Sequence, residues 1–168
     1  MDNQGTPPQE IRDPIHGAIP VDEAEMAVIN HAFVQRLRGI RQLGFSHLPF
    51  PGATHTRYSH SLGVMHLAGR AFDACFRDEP FADPIVQQQF RYCVRLAALC
   101  HDSGHAPFSH AAEFAMPTLR ALNIRCYDPA KVAHRIDKRA HHEDYTIAIL
   151  TQTSLADAIR KRFAFTPE

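Results

Sequence analysis

Five apolar residues at positions 96 to 100 (Leu-Ala-Ala-Leu-Cys) run straight into His101 and Asp102, and no other junction restricts the fold of this chain as much. The run closes a helical pattern that starts near Ile85, with Phe90, Cys93, Val94, Ala97 and Cys100 predicted on its buried side. Burying an imidazole and a carboxylate at the end of such a helix is costly unless partners compensate them, and a cation is the simplest partner. Adjacent residues reach one ion together where the backbone leaves regular helix, and Gly104 allows a sharp turn just beyond. His60, in Arg57-Tyr58-Ser59-His60, is the third candidate ligand. Mixed nitrogen and oxygen ligation suits one divalent ion such as iron, manganese, zinc or magnesium, and such ions activate bound water.

The remaining pattern predicts an all-α fold with a short extended segment near its start. Residues 1–10 form a Pro-rich polar arm, predicted to be flexible, and residues 11–20 read as extended or hairpin because each proline disfavours helix before it. Asp22 is a cap for a helix through Ile29. Phe33, Leu37 and Ile40 then repeat at helical spacing until Gly44, with Arg36, Arg38 and Arg41 on the charged face. A loop over 49–56 leads to a helix over 58–76 with Leu62, Met65, Phe72 and Phe76 inward, which places His60 in its first turn. After the 85–100 helix, Pro107 is placed to open another, carrying His110 and Glu113 three residues apart on one face. A basic stretch over 131–139 and a last helical pattern with His142, Tyr145, Ile149 and Leu150 follow.

Composition narrows the functions. With 168 residues, 45% of them apolar, the chain has the length of one domain and material for a core. Its formal charge of zero provides no overall field toward nucleic acid or an anionic membrane, so phosphate binding has to be local. Cys75, Cys93, Cys100 and Cys126 contain no Cys-x-x-Cys pair, and with no export signal they read as reduced core residues of a cytoplasmic protein. No apolar run approaches the roughly 18 residues of a membrane span. Twelve histidines make coincidence a serious alternative, and His31, His47, His66 and His134 read as ordinary core or surface residues. His60, His101, Asp102, His105, His110 and His142 differ because all fall at helix ends or turns, where separate elements converge.

Five motifs in order carry a resemblance over nearly the whole chain: Asp13-Pro14-Ile15-His16-Gly17; the segment from Gln35 to Gly44; the segment from Phe50 to Val64; the segment around His101; and His142-Glu143-Asp144. These motifs resemble the HD-domain phosphohydrolases, and within them the deoxynucleoside triphosphate triphosphohydrolases, which cleave a dNTP to deoxynucleoside and triphosphate. The resemblance implies an HD-domain helical bundle over 11–168, with His60, His101 and Asp102 as metal ligands. It implies that His110 and His142 face the scissile phosphate, Glu113 orients His110, His105 is a further pocket histidine, Arg57 meets phosphate oxygens and Gln42 meets the sugar. It also implies a homo-oligomer.

The match departs from the family pattern in three places, one of them a longer stretch between His110 and His142 that includes Lys131, Arg135, Lys138 and Arg139. The family's fourth ligand, an aspartate on a later helix, has no counterpart in Asp144 or Asp157, so the domain is expected to be incomplete at its C-terminus. Gln35 and Arg38 match members regulated by nucleotide, whereas Asn30 replaces an acidic residue that reads guanine there. Two alternatives stand beside dNTP hydrolysis. One is an HD nucleotidase or cyclic-nucleotide phosphodiesterase; the other is a non-catalytic nucleotide-binding module using Arg57 and arginines 36, 38 and 41. Nucleic acid as the partner is the weaker version of that module, because base stacking needs exposed rings and the chain has no tryptophan.

Overall fold

The computed structural model describes residues 9–163. It is the helical fold that the pattern predicts, with one small antiparallel hairpin of β1 (Gln9–Asp13) and β2 (Gly17–Val21). The Asp13 carboxylate accepts hydrogen bonds from the backbone N–H groups of Ile15 and His16, both at 2.8 Å, and Gly17 takes the left-handed conformation that closes the turn. Ile19 and Val21 of β2 are buried and tie the hairpin to the core. Of the predicted arm, residues 1–8 lie outside the described residues, while Gln9 and Glu10 already pair with Val21 and Pro20.

Helix α1 (Glu23–Ile29) starts at Asp22 as predicted, with a capping box in which Asp22 and Glu25 each bond the other's backbone. The predicted run from Phe33 to Gly44 is not one helix. It divides into α2 (Ala32–Gln35), a 3-10 turn over Arg36–Gly39, an extended Ile40 and a second 3-10 turn over Gly44–His47. Arg41 pairs with Thr56 in an isolated bridge, which pulls the chain out of helix, and Leu37 and Ile40 are buried from the shorter turns instead.

The scaffold of the molecule is the antiparallel pair of α3 (Arg57–Cys75) and α4 (Pro84–Cys100). Thr56 caps α3, and Asp83 with Pro84 in the first turn opens α4. Sequence periodicity places the buried face of α4 on the wrong side. Phe90, Cys93, Val94 and Ala97 are exposed, and the inward row is Arg95, Leu96, Leu99 and Cys100. The cause is a buried ion pair: Arg95 donates to both Glu25 oxygens, at 2.5 and 3.0 Å, and to the Pro20 carbonyl at 3.1 Å. That pair docks α1 and β2 on α4, and the buried face lies about a third of a turn from the face that apolar counting selects. Gly69 of α3 makes room for it, since a Cβ there would lie 2.7 Å from the guanidinium. Of the four cysteines predicted inside, only Cys100 is buried, and burial pushes its thiol up to about 12; Cys75, Cys93 and Cys126 are exposed.

Beyond α4 the chain turns through residues 101–108 into a 3-10 helix over Ser109–Ala115, not the α-helix predicted from Pro107. Short helix α5 (Leu119–Leu122) follows, and the basic stretch begins in α6 (Pro129–Val132) and continues through a 3-10 turn over Ala133–Arg135. Arg135 in that stretch binds Asp144 through two bonds of 3.0 and 2.9 Å, a structural use of its charge. Helix α7 (His142–Gln152) follows the predicted pattern, and α8 (Ser154–Arg162) adds Leu155 and Ile159 to a core that includes Leu37, Met65 and Leu99. Each fully buried leucine contributes about 1.5–3 kcal/mol.

Candidate metal centre and active site

His60 stands in the first turn of α3, and His101 and Asp102 leave the C-terminal end of α4. One ligand atom from each of these three lies within 4.8 Å of the others. The His101 Nδ1 is 2.7 Å from the Ala98 carbonyl oxygen, which can only accept, so Nδ1 carries the hydrogen. Its Nε2, 3.3 Å from Asp102 Oδ1, is then the nitrogen with the free lone pair. A histidine that donates one ring N–H to a carbonyl and presents the other nitrogen to a carboxylate is arranged as metal-ligating histidines are. The donor set of two imidazoles and one buried carboxylate therefore fits a divalent cation.

Asp102 is held from both sides. Arg57 Nη1 donates to its Oδ2 at 2.6 Å, and His105 Nε2 lies 3.4 Å from its Oδ1. Burial opposes ionisation of this carboxyl, but the His105 hydrogen bond and the hydrogen bond and charge of Arg57 outweigh it and hold it well below the usual carboxylate range. Burial is also the largest influence on His60 and His105, and it lowers both. Arg57 is itself buried, which excludes its reading as surface charge. Its other nitrogen, Nη2, donates to the Gln42 carbonyl at 3.3 Å and to the Ser109 hydroxyl. In this structure the guanidinium thus organises Asp102, and Gln42 meets Arg57 through its backbone.

A second cluster adjoins the first. The rings of His105 and His142 stack at 3.7 Å, and His110 stands edge-on to both at 4.9 Å. Glu113 organises it: its Oε1 lies 2.8 Å from His142 Nδ1 and 3.1 Å from His110 Nδ1. Burial opposes the charge on Glu113, yet hydrogen bonds from His142, His110 and His141 keep its pKa down at about 2. The i,i+3 spacing of His110 and Glu113 survives the change to a 3-10 helix, and the more important bond to His142 comes from a distant element. His105 Nδ1 is buried with no hydrogen-bond partner.

Gly104 explains how the two clusters meet. A Cβ at this position would collide with the His142 carbonyl oxygen and lie 2.5 Å from the Thr146 nitrogen. Its need is therefore a close approach of α7, where the sequence suggested a sharp turn. The Gly104 N–H donates to the Thr146 hydroxyl at 2.9 Å, and that hydroxyl donates to the His101 carbonyl at 3.0 Å. Arg36 bonds the Ser103 and His105 carbonyls, the latter at 2.9 Å, and clamps the same loop from the other side. Sequence reasoning missed Thr146, Arg36 and Ser109 in these roles. An arginine in the Gln35 to Gly44 motif was the available hint for Arg36; Thr146 and Ser109 carry none. All eight histidine, aspartate, arginine and glutamine candidates other than Glu113 line one cavity of about 550 Å³, together with Leu43, Phe45, Phe108 and Ser109.

Comparison with known proteins follows the same residues. The HD domain family model matches residues 57–162. A Dictyostelium discoideum protein described as a deoxynucleoside triphosphate triphosphohydrolase SAMHD1 homolog is 39% identical over 140 residues, which is 83% of this chain and 24% of that protein. Human deoxynucleoside triphosphate triphosphohydrolase SAMHD1 is 45% identical over 100 residues, covering 60% of this chain and 16% of the human protein. The crystal structure of a hypothetical protein from Aquifex aeolicus superposes with a TM-score of 0.65 at 32% identity, covering 94% of this chain and 34% of that one. The chain thus spans about a quarter or less of the two triphosphohydrolase relatives.

Proposed function

Taking as premise that this chain belongs to the HD-domain family, we propose that it is a metal-dependent phosphohydrolase acting on nucleotides, with a dNTP cleaved to deoxynucleoside and triphosphate as the reaction. The observation that supports this best is the meeting of His60, His101 and Asp102, with His101 held in the tautomer that presents Nε2. We assign the ion to these three side chains, with manganese, iron or zinc favoured over magnesium by two nitrogen donors. A divalent ion bound there supplies a polarised phosphate oxygen and a bound water of lowered pKa.

The chain's own residues divide the remaining work. Arg57 fixes Asp102 through a charge-assisted bond and neutralises part of the charge that builds up near it. Glu113 takes the Nδ1 hydrogens of His110 and His142, so each ring offers Nε2 for a proton. His110, whose side chain is open to the cavity, delivers that proton to the leaving sugar oxygen, and His142 stands behind it. Gln42, which lines the same cavity, is assigned to the sugar. Residues 11–168 act as one HD domain, assembled as a homo-oligomer in the cytoplasm. No described helix is long and apolar enough to cross a membrane.

A nucleotide-binding module without turnover is the second reading, favoured by the Arg57 guanidinium that already occupies Asp102 Oδ2. Incubation with dATP and manganese, followed by chromatography of the products, separates the readings. Release of triphosphate and deoxyadenosine in equal amounts is expected. Release of orthophosphate from a monophosphate, with dATP intact, would point to a nucleotidase, and binding without any product would point to the module.

A further inference from the structure

Phe45 and Phe108 are both 56% exposed, and they stack on each other with ring centroids 5.2 Å apart and planes within 12°. Phe45 lies in the 3-10 turn over Gly44–His47 and Phe108 is the cap before the 3-10 helix over Ser109–Ala115, and both line the cavity together with the metal-candidate residues. Leu43, 39% exposed, extends the same apolar wall. The lining therefore combines a polar set, the imidazoles with Asp102 and Arg57, and an apolar set that includes open aromatic surface.

The backbone holds this pair in place. Gly44 adopts a left-handed conformation, φ +53°, with the Phe108 carbonyl oxygen 3.3 Å from the position a Cβ would take. Ser109 is also left-handed, φ +57°, and its hydroxyl accepts a hydrogen bond from Arg57. A non-glycine residue in that region is uncommon and is sustained by its surroundings. Phe108 is thus tied through its neighbour to the arginine that fixes Asp102, and Phe45 is tied to Phe108 by the close approach at Gly44.

We propose that Phe45 and Phe108 form an aromatic platform that stacks the heteroaromatic base of a nucleotide whose phosphates lie against the histidines of the same cavity. The proposal rests on the phosphohydrolase reading and assigns it a base-binding subsite. Aromatic side chains stack every base through its π-face, so the platform gives affinity with little base selection beyond a preference for the larger purines.

The test compares dATP and dCTP, each with its 5′-oxygen replaced by a methylene so that it cannot be cleaved, with inorganic tripolyphosphate by equilibrium dialysis against the full chain in manganese. Phe45→Ala and Phe108→Ala should each weaken dATP by about 10-fold and dCTP by less, and leave tripolyphosphate unchanged. Phe45→Tyr, which keeps the ring, should retain dATP affinity. Equal weakening of dATP and tripolyphosphate, unchanged dATP in both alanine variants, or a wild-type chain that binds dATP no better than tripolyphosphate would overturn the platform. Hydrolysis measured in parallel keeps the two proposals apart. Triphosphate release that persists while dATP affinity ignores both alanine variants removes the platform alone. Ring-dependent dATP binding with no product supports the platform and removes the hydrolase.

Discussion

Two histidine clusters lie side by side in this molecule, and they differ in where the negative charge sits. In His60–His101–Asp102 the carboxylate is inside the cluster, buried, and faces the same space as the ring nitrogens. In His105–His110–His142 the carboxylate of Glu113 lies behind two of the rings, against the Nδ1 atoms of His110 and His142. An anion among lone pairs attracts a cation; an anion behind imidazoles makes them better proton carriers. Similar side chains thus take on different chemistry through the placement of one carboxylate.

Asp102→Asn breaks the first cluster while keeping the shape of the side chain, and has the largest expected effect. Nucleotide hydrolysis should fall by about 10³-fold or more, because several kcal/mol of charge stabilisation disappear together with the ligand. Thermal unfolding should show a folded protein, and retained turnover would equate the two clusters. Glu113→Gln changes the second cluster alone: kcat should fall by about 10²-fold, within the range of general acid–base catalysis, with its pH profile displaced. An unchanged profile would remove the proton role from His110 and His142.

The smallest effect is on stability. Glu113 has a lowered pKa in the folded protein, so its contribution is complete above the ordinary glutamate value of about 4.3 and is lost as pH falls toward about 2. Urea unfolding midpoints measured across that window should fall less steeply in Glu113→Gln than in the wild type. Parallel slopes would mean that His142, His110 and His141 do not hold this carboxylate.

The sequence makes the candidate ligands legible because they sit at helix ends, beside an apolar run that cannot absorb them. The hairpin and the Asp22 cap are legible for local reasons, a turn carboxylate and a capping box. What escapes is long-range. Arg95 pairs with Glu25 seventy positions away and rotates α4, so exposed Phe90 and Val94 look like core and a buried arginine looks like surface. Arg57 likewise reads as a phosphate ligand or a surface charge until Asp102, 45 positions on, appears beside it. Gly104 is readable as a special position, but its reason, the approach of α7, is not. Periodicity records the average environment of a face and misses a single buried ion pair that outweighs it.

Elemental analysis of purified protein tests the difference between the clusters most directly. Wild-type protein and Glu113→Gln should each carry one equivalent of a divalent transition metal, and Asp102→Asn should carry none. Metal-free wild-type protein, or metal that stays in Asp102→Asn and leaves in Glu113→Gln, would contradict the assignment of the ion to His60, His101 and Asp102.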